Sequence, residues 1–418
     1  MTLQSRSPEE GATPRAAARL KAESDRRHAR LLDGMGQYEA ALALYQRILE
    51  REPRDLMAHR DYNHLLYRLG RNDRFLLSYD EAVARSSAPL ALQRDKAWFL
   101  LSADRFAEAH ALYAQVLAAA PADVIAATGV GVALEKMGEF EPALAAYRAA
   151  LMCHPKDVNL YSNIACTLLK LQDPLQAAEL AQRGLEIAPT DQLCLATLSI
   201  AWRLGGDARE EWLCRYDDFI RVFDLEPPDG FASMSRFNEE LNAFLDQYHH
   251  QTGEFLNQSL RGGTQTPQDL FDSGHHLIDL LQRQIDEAVC QYIAALPDER
   301  HPFIGRRAAG FIYTGSWSSR LYDGGFHADH VHPRGWISSC YYVALPSVIS
   351  DESARGGWLK FGEPSYDFGL KKPIRRVIEP QSGQLVLFPS YLWHGTIPFH
   401  QPASTRTTIA FDLTPAAG

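Results

Sequence analysis

Cysteine is scarce in this 418-residue chain, and the six present (Cys153, Cys166, Cys194, Cys214, Cys290 and Cys340) form neither a Cys-x-x-Cys pair nor a dense framework. That excludes a disulfide-stapled secreted module and a thiolate zinc site, suits a reducing compartment, and leaves the thiols to be read as small buried hydrophobes. Positive charge is not in excess either. Lys and Arg number 42 against 52 Asp and Glu, a formal net charge of −10, which argues against a nucleic-acid surface. No uninterrupted apolar run is long enough to span a bilayer, and the first twenty residues hold no apolar secretory core. The expectation is a cytoplasmic protein with neither a membrane segment nor a nucleic-acid partner.

With 46% hydrophobic and 22% charged residues the composition is globular. The length exceeds one ordinary core, since about 150 residues make a domain, so separate modules are expected. The first half repeats itself every 34 residues: Tyr45, Tyr79, Tyr113 and Tyr147 keep that spacing, as do Ala41, Phe75, Ala109, Ala143 and Ala177. Gly36, Gly70 and Gly138, and Pro53, Pro121, Pro155 and Pro189, fall at the same period or twice it. Such a period suits a helix-turn-helix unit. The glycine takes the turn, the small residue lets two helices approach, the tyrosine fills the gap between them and the proline stops the second helix. Each unit needs neighbours to cover its apolar face.

The stretches "MGQYEAALALYQRILEREPRD" and "MGEFEPALAAYRAALMCHPKD" resemble tetratricopeptide repeats; "ADRFAEAHALYAQVLAAAPAD" is a fair match and the 56–89 unit is degenerate. About five units are expected over residues 22–191, with further helix to about 222. The resemblance implies an all-α superhelical array with a concave surface for a protein or peptide partner. The expected layout is 1–21 as a flexible start or the beginning of the first helix, 22–222 as the repeat domain, and 223–235, around "DLEPPDGF", as a linker. The last domain is 236–418. There the chain reads helical to 296, with a Gly-rich interruption at "SLRGGTQT", and then becomes short alternating runs such as "GWISSCYYVAL", "GQLVLFP" and "RTTIAFDL". Several short strands with few helices between them indicate a barrel or jelly roll.

A lone histidine is usually structural, but "GGFHADHVHPRGW" gathers His327, Asp329, His330 and His332 in one short segment. On an extended strand residues two apart share a side, so His330 and His332 can converge on one ion, or His327 and Asp329, but a regular strand cannot present both pairs. "LFPSYLWHGTIPF" offers His394 as a third ligand just after an apolar strand, a set that can hold iron with open positions. In "STRTTIAFDL", Arg406 and Thr408 share one strand face while Thr407, Ile409 and Phe411 take the other. The arginine can hold a carboxylate bidentately and the threonine can add a hydrogen bond. One of Tyr341 and Tyr342 faces inward; Tyr342 is the candidate to touch a co-substrate. Arg261, Trp336 and Trp393 are candidate substrate contacts near the mouth, whereas Arg320 and Arg334 read as solvated.

At "HVHPRGWISSCYYV" and "LFPSYLWHG" the chain resembles the Fe(II)- and 2-oxoglutarate-dependent oxygenases, in particular a bacterial and phage branch with an H-x-H-P core and a later F-P-x-x-x-x-H; "SLRGGTQT" also resembles a segment upstream of that core. The resemblance covers about residues 235–415. It implies a double-stranded β-helix (jelly roll) with flanking helices, Fe(II) as metal and 2-oxoglutarate as co-substrate, its distal carboxylate held by Arg406 and Thr408. The superfamily's usual His-x-Asp has histidine in place of the carboxylate here. The ligand set is therefore His330, His332 and His394, which the branch pattern favours, or one that draws on Asp329 or on the His327/Asp329 pair. The leading expectation is a hydroxylase of a protein or peptide gathered by the repeats. Its rivals are an adaptor whose barrel is inactive and a three-histidine iron oxygenase that needs no 2-oxoglutarate.

Overall fold

The computed structural model describes residues 14–249, 256, 258–266 and 269–416. Of the expected 1–21 segment, residues 1–13 lie outside the described residues, and the first helix begins at Pro14. Helices follow in antiparallel pairs: α1 (Pro14–Gly34) with α2 (Tyr38–Arg51), α3 (Leu56–Arg68) with α4 (Leu77–Arg85), α5 (Leu90–Ser102) with α6 (Phe106–Ala119), α7 (Val124–Lys136) with α8 (Phe140–Cys153), and α9 (Val158–Lys170) with α10 (Pro174–Ile187). An unpaired α11 (Gln192–Gly205) follows, then the short α12 (Arg209–Cys214) and α13 (Tyr216–Phe219).

The periodic residues do what their chemistry requires. Tyr45, Tyr79, Tyr113 and Tyr147 are all buried, and Ala41, Ala109, Ala143 and Ala177 are fully enclosed where paired helices touch. Residues 36, 70, 104, 138, 172 and 206, each 34 after the last, all have positive φ, from +58° to +83°. Gly36, Gly70, Gly138 and Gly206 adopt this left-handed turn freely, whereas Asp104 and Gln172 adopt it against their side chains. Asp55, Asp123, Asp157 and Asp191 keep the same period and cap α3, α7, α9 and α11 by accepting backbone N–H bonds. At Gly131 of α7 a Cβ would run into the Tyr147 ring, so glycine there is a packing requirement.

The chain divides into two compact units between Ala119 and Ala120, inside the repeat array; the second unit holds α7 to α13 together with the sheets. Its strands are β1 (Arg221–Asp224), β2 (Leu260–Gln265), β3 (Phe311–His327), β4 (Ile337–Ala344), β5 (Leu359–Phe361), β6 (Arg376–Ile378), β7 (Gln384–Pro389), β8 (His394–Thr396) and β9 (Arg406–Pro415). A six-stranded sheet has the order β1-β7-β4-β9-β3-β2 and a three-stranded sheet the order β6-β5-β8, with every pairing antiparallel. This is the two-sheet arrangement of a jelly roll. Helices α14 (Met234–Asp246) and α15 (His276–Ala294) flank it, and the Tyr341 hydroxyl donates to Asn238 of α14.

Three expectations need correcting. Residues 223–224, placed in a linker, belong to β1, which is hydrogen-bonded to β7, so the sheet starts before the stretch whose composition changes. "SLRGGTQT", read as an interruption, forms the edge strand β2. Its glycines serve a bulge between Arg261 and Gly263, with Gly262 at φ +63° and no room for a Cβ on Gly263 against the Arg320 carbonyl. Cys194, Cys214 and Cys340 are buried as expected, but Cys153 and Cys290 are exposed.

Behind the sheet, the buried His301 accepts the Phe303 N–H at Nδ1 (3.1 Å), so its proton sits on Nε2 and is donated to the Leu213 and Trp212 carbonyls at 3.1 and 3.2 Å. Burial pushes its pKa down to about 4. The unfolded histidine takes up a proton near pH 6.5, so stability is full above that value and falls as pH drops from about 6.5 to 4, by about 2 kcal/mol between pH 7 and 5. Chemical denaturation across that range should show the slope, and His301→Gln should reduce it. Gly131→Ala is expected to destabilise the second unit by about 1–3 kcal/mol through overpacking, measurable by the same method.

Candidate metal centre and its cavity

The centre is assembled by backbone pairing. His330 and His394 form an isolated antiparallel bridge in which each N–H donates to the other's carbonyl, at 2.9 and 3.1 Å. The His332 N–H donates to the Ser390 carbonyl at 2.9 Å, fastening the second histidine to the turn that leads into β8. The chain is extended from His330 to His332, so both side chains leave on the same side. The result is one group: ligand atoms of His330, His332 and His394 all lie within 4.8 Å of one another.

Each imidazole is oriented by a partner on its far nitrogen. His330 Nδ1 lies 2.8 Å from the Ala328 carbonyl, His394 Nδ1 lies 2.9 Å from the Leu392 carbonyl, and His332 Nδ1 lies 2.6 Å from Asp412 Oδ2. With a proton on every Nδ1, every Nε2 presents a lone pair, the tautomer a metal needs. Burial, and then the neighbouring histidines, hold His330 down to about 3 and His394 well below the ordinary range, so both rings are neutral ligands. Phe388 and Phe361 pack on the His394 ring, and Trp317 stacks parallel to His332 at 5.9 Å.

Asp412, which no motif in the sequence singled out, is the carboxylate behind His332. Its Oδ1 accepts from Ser338, whose hydroxyl lies 2.8 Å from that of Ser390. The signal was present: alternation along β9 puts Arg406, Thr408, Ala410 and Asp412 on one face.

The histidines line a cavity of ≈ 330 Å³ together with Trp317, Ser319, Gln258, Gln265, Cys340 and Thr408. Cross-strand register sets Gln265, Ser319, Thr408 and Tyr342 in one row across β2, β3, β9 and β4. Arg406 is 1% exposed; its Nε donates to the Gly357 carbonyl at 3.0 Å, and its guanidinium lies 5.3 Å from the Tyr342 ring centre. Arg406 Nη2, Tyr342 Oη and Ser319 Oγ are all buried without a hydrogen-bond partner. Buried donors are rarely left so, and an unpaired guanidinium beside hydroxyls fits a carboxylate.

The other candidates separate. His327 lines the cavity but stands outside the three-histidine group, with its Nδ1 3.3 Å from the Ser259 hydroxyl. Asp329 is also outside it, paired with Lys360 at 2.8 Å. Arg261 is exposed, does not line the cavity, and donates to the Gln258 and Leu260 carbonyls. Trp336 is fully buried with its indole on the Phe303 carbonyl, and Trp393 turns its indole to the Ala196 carbonyl of α11, so neither lies at the mouth. Arg320, expected in solvent, is buried against Thr407, Asn242 and Asp246.

Comparison with known proteins agrees with this geometry. Residues 315–412 match the family described as "Putative 2OG-Fe(II) oxygenase", and residues 26–89 and 100–165 match two families described as "Tetratricopeptide repeat". Two stretches of the first half are thus tetratricopeptide-like, and residues 315–412 carry a domain similar to the family described as "Putative 2OG-Fe(II) oxygenase". No curated protein matches it. Among solved structures, MamA from Desulfovibrio magneticus is 22% identical, with 40% of this chain and 96% of that chain covered and a TM-score of 0.32. PilW, a type IV pilus biogenesis factor, is 19% identical over 46% and 89% of the two chains, TM-score 0.37. YrrB, described as having an unusual peptide-binding site, is 18% identical over 43% and 96%, TM-score 0.31. Among the described residues no helix is long and apolar enough to cross a membrane.

Asp412→Ala is expected to weaken divalent-metal binding by about 10- to 100-fold, as loss of a carboxylate behind a ligating histidine does. Asp329→Asn is expected to leave it unchanged. Competition titration with a chromophoric chelator measures both.

Proposed function

We propose that the C-terminal domain is an Fe(II)- and 2-oxoglutarate-dependent dioxygenase that hydroxylates a protein or peptide recruited by the repeats. The observation that carries this reading is a group of three oriented imidazoles, two of them held neutral by burial, in a domain whose buried Arg406 has no hydrogen-bond partner at Nη2. His330, His332 and His394 would hold the metal through Nε2. Arg406, with Thr408 and Tyr342 beside it, would receive the distal carboxylate of the co-substrate, and the row position of Ser319 lets it add a hydroxyl. When bound, Fe(II) and 2-oxoglutarate would supply the activation of dioxygen, one atom of which enters the substrate C–H bond while the other ends in succinate as 2-oxoglutarate loses carbon dioxide.

The protein's own part is orientation and exclusion of water. Asp412, Ala328 and Leu392 fix the imidazole tautomers; Phe361 and Phe388 keep water from His394. Asp412 also puts one negative charge behind His332, where the usual carboxylate ligand would have stood beside it. Repeats of this kind generally mediate protein–protein interaction, which supports a macromolecular substrate or a recruiting partner.

A three-histidine oxygenase without 2-oxoglutarate would leave Arg406 Nη2 without a partner, and an inactive adaptor would not need oriented imidazoles. Anaerobic addition of 2-oxoglutarate to the Fe(II)-loaded protein is expected to produce a visible charge-transfer band. His394→Ala should abolish it, and Arg406→Ala should raise the 2-oxoglutarate concentration needed by at least about 100-fold, as loss of a buried charge-assisted contact does. A band indifferent to Arg406→Ala would remove the co-substrate assignment, and its absence from wild type would favour the adaptor.

A further inference from the structure

We infer that the helices at the end of the repeat region are part of the metal centre's scaffold, with Arg203 of α11 a positioning residue for His394. This rests on the reading of His330, His332 and His394 as metal ligands. The short turn that delivers His394 is held through its side chains as well as its backbone. The hydroxyl of Tyr391, 1% exposed, donates to the Leu213 carbonyl of α12 at 2.6 Å, and the Trp393 indole points to the Ala196 carbonyl of α11 at 3.3 Å. Two of the three residues before the ligand are therefore tied to helices that precede the sheet in the chain.

Arg203 adds a second hold on the same place. Its Nη1 donates to the Gly362 carbonyl and its Nη2 to the Pro373 carbonyl, both at 2.9 Å, so one planar fork closes both ends of the loop between β5 and β6. Gly362 in turn donates its N–H to the Trp393 carbonyl at 2.8 Å, and its neighbour Phe361 is the cross-strand partner of His394. From guanidinium to ligand the path is two hydrogen bonds, through Gly362 and then Trp393, the residue before His394. Gly362 has φ +94° and no room for a Cβ against Arg375, so the loop's entry has little freedom to reach His394 by another route.

The same loop lies on the repeats beyond Arg203: Tyr366 sits against Phe140 of α8, with the Lys170 ammonium 4.9 Å from its ring centre, and Phe368 is buried. The α7–α11 helices thus already carry a segment of their own chain, and the position of the third ligand depends on that seat.

The test uses the full-length chain and Co(II) as probe, read by affinity and by the positions of the visible ligand-field bands, with far-UV circular dichroism as the check on folding. Arg203→Lys keeps the charge but cannot span two carbonyls. It should weaken Co(II) binding by about tenfold and shift the bands, while Arg148→Ala, on the surface of α8, should change neither. Arg203→Lys that stays folded and keeps wild-type affinity and bands overturns the inference. Should that variant lose its helical signal, Tyr391→Phe, which removes only the bond to Leu213, decides by the same two readouts. Failure of wild type to bind Co(II) would overturn the metal reading as well, and so is distinguishable from indifference in the variants alone.

Discussion

The reciprocal backbone bond between His330 and His394 is the constraint on which the site depends. Two imidazoles far apart in the chain are brought together by main-chain pairing, which fixes Cα positions without reference to any metal. The third ligand follows from the extended backbone between His330 and His332, and the tautomers follow from two carbonyls and one carboxylate on the Nδ1 side. Pre-positioning of this kind means that metal binding need not order the loop at the same time, so less of the binding free energy is offset by lost conformational freedom.

Electrostatically the domain buries two unlike groups. Burial keeps His330 and His394 neutral beside His332 and its carboxylate partner Asp412, a set that suits a divalent cation, whereas Arg406 is a buried cation with the Tyr342 ring 5.3 Å from its guanidinium, a setting that suits an anion. The row Gln265, Ser319, Thr408, Tyr342 runs across four strands, and Thr408 stands two residues from Arg406 on the same face of β9. A ligand carrying an acid at each end would therefore meet complementary chemistry along its length.

The repeats were legible because every unit makes the same steric demand, so tyrosine, small residue, turn and capping aspartate recur with one period. Asp104 and Gln172 were missed because they occupy the left-handed turn without being glycine. Histidines, arginine and threonine of the site could be read because strand alternation fixes which side chains share a face, and the same rule reaches Asp412. What alternation does not give is which element covers a face. That is why Trp336 and Trp393 were assigned to the mouth when one lies in the core and the other is turned to α11. Strands β1 and β2 were hidden for a different reason: one is four residues with charges at both ends, and the other owes its sequence to close backbone approach at a bulge.

Strand β1 has a further consequence. It is the outermost strand beside β7, and it enters the sheet directly after the last repeat helices. A protein cut where the composition changes would lose it and leave the apolar β7, "QLVLFP", with a bare row of main-chain donors and acceptors. Such a row is a template for another molecule's strand. Fragments of this enzyme-like half expressed alone should thus be prone to self-association, which makes the helical half a guard of colloidal behaviour as well as a platform for partners.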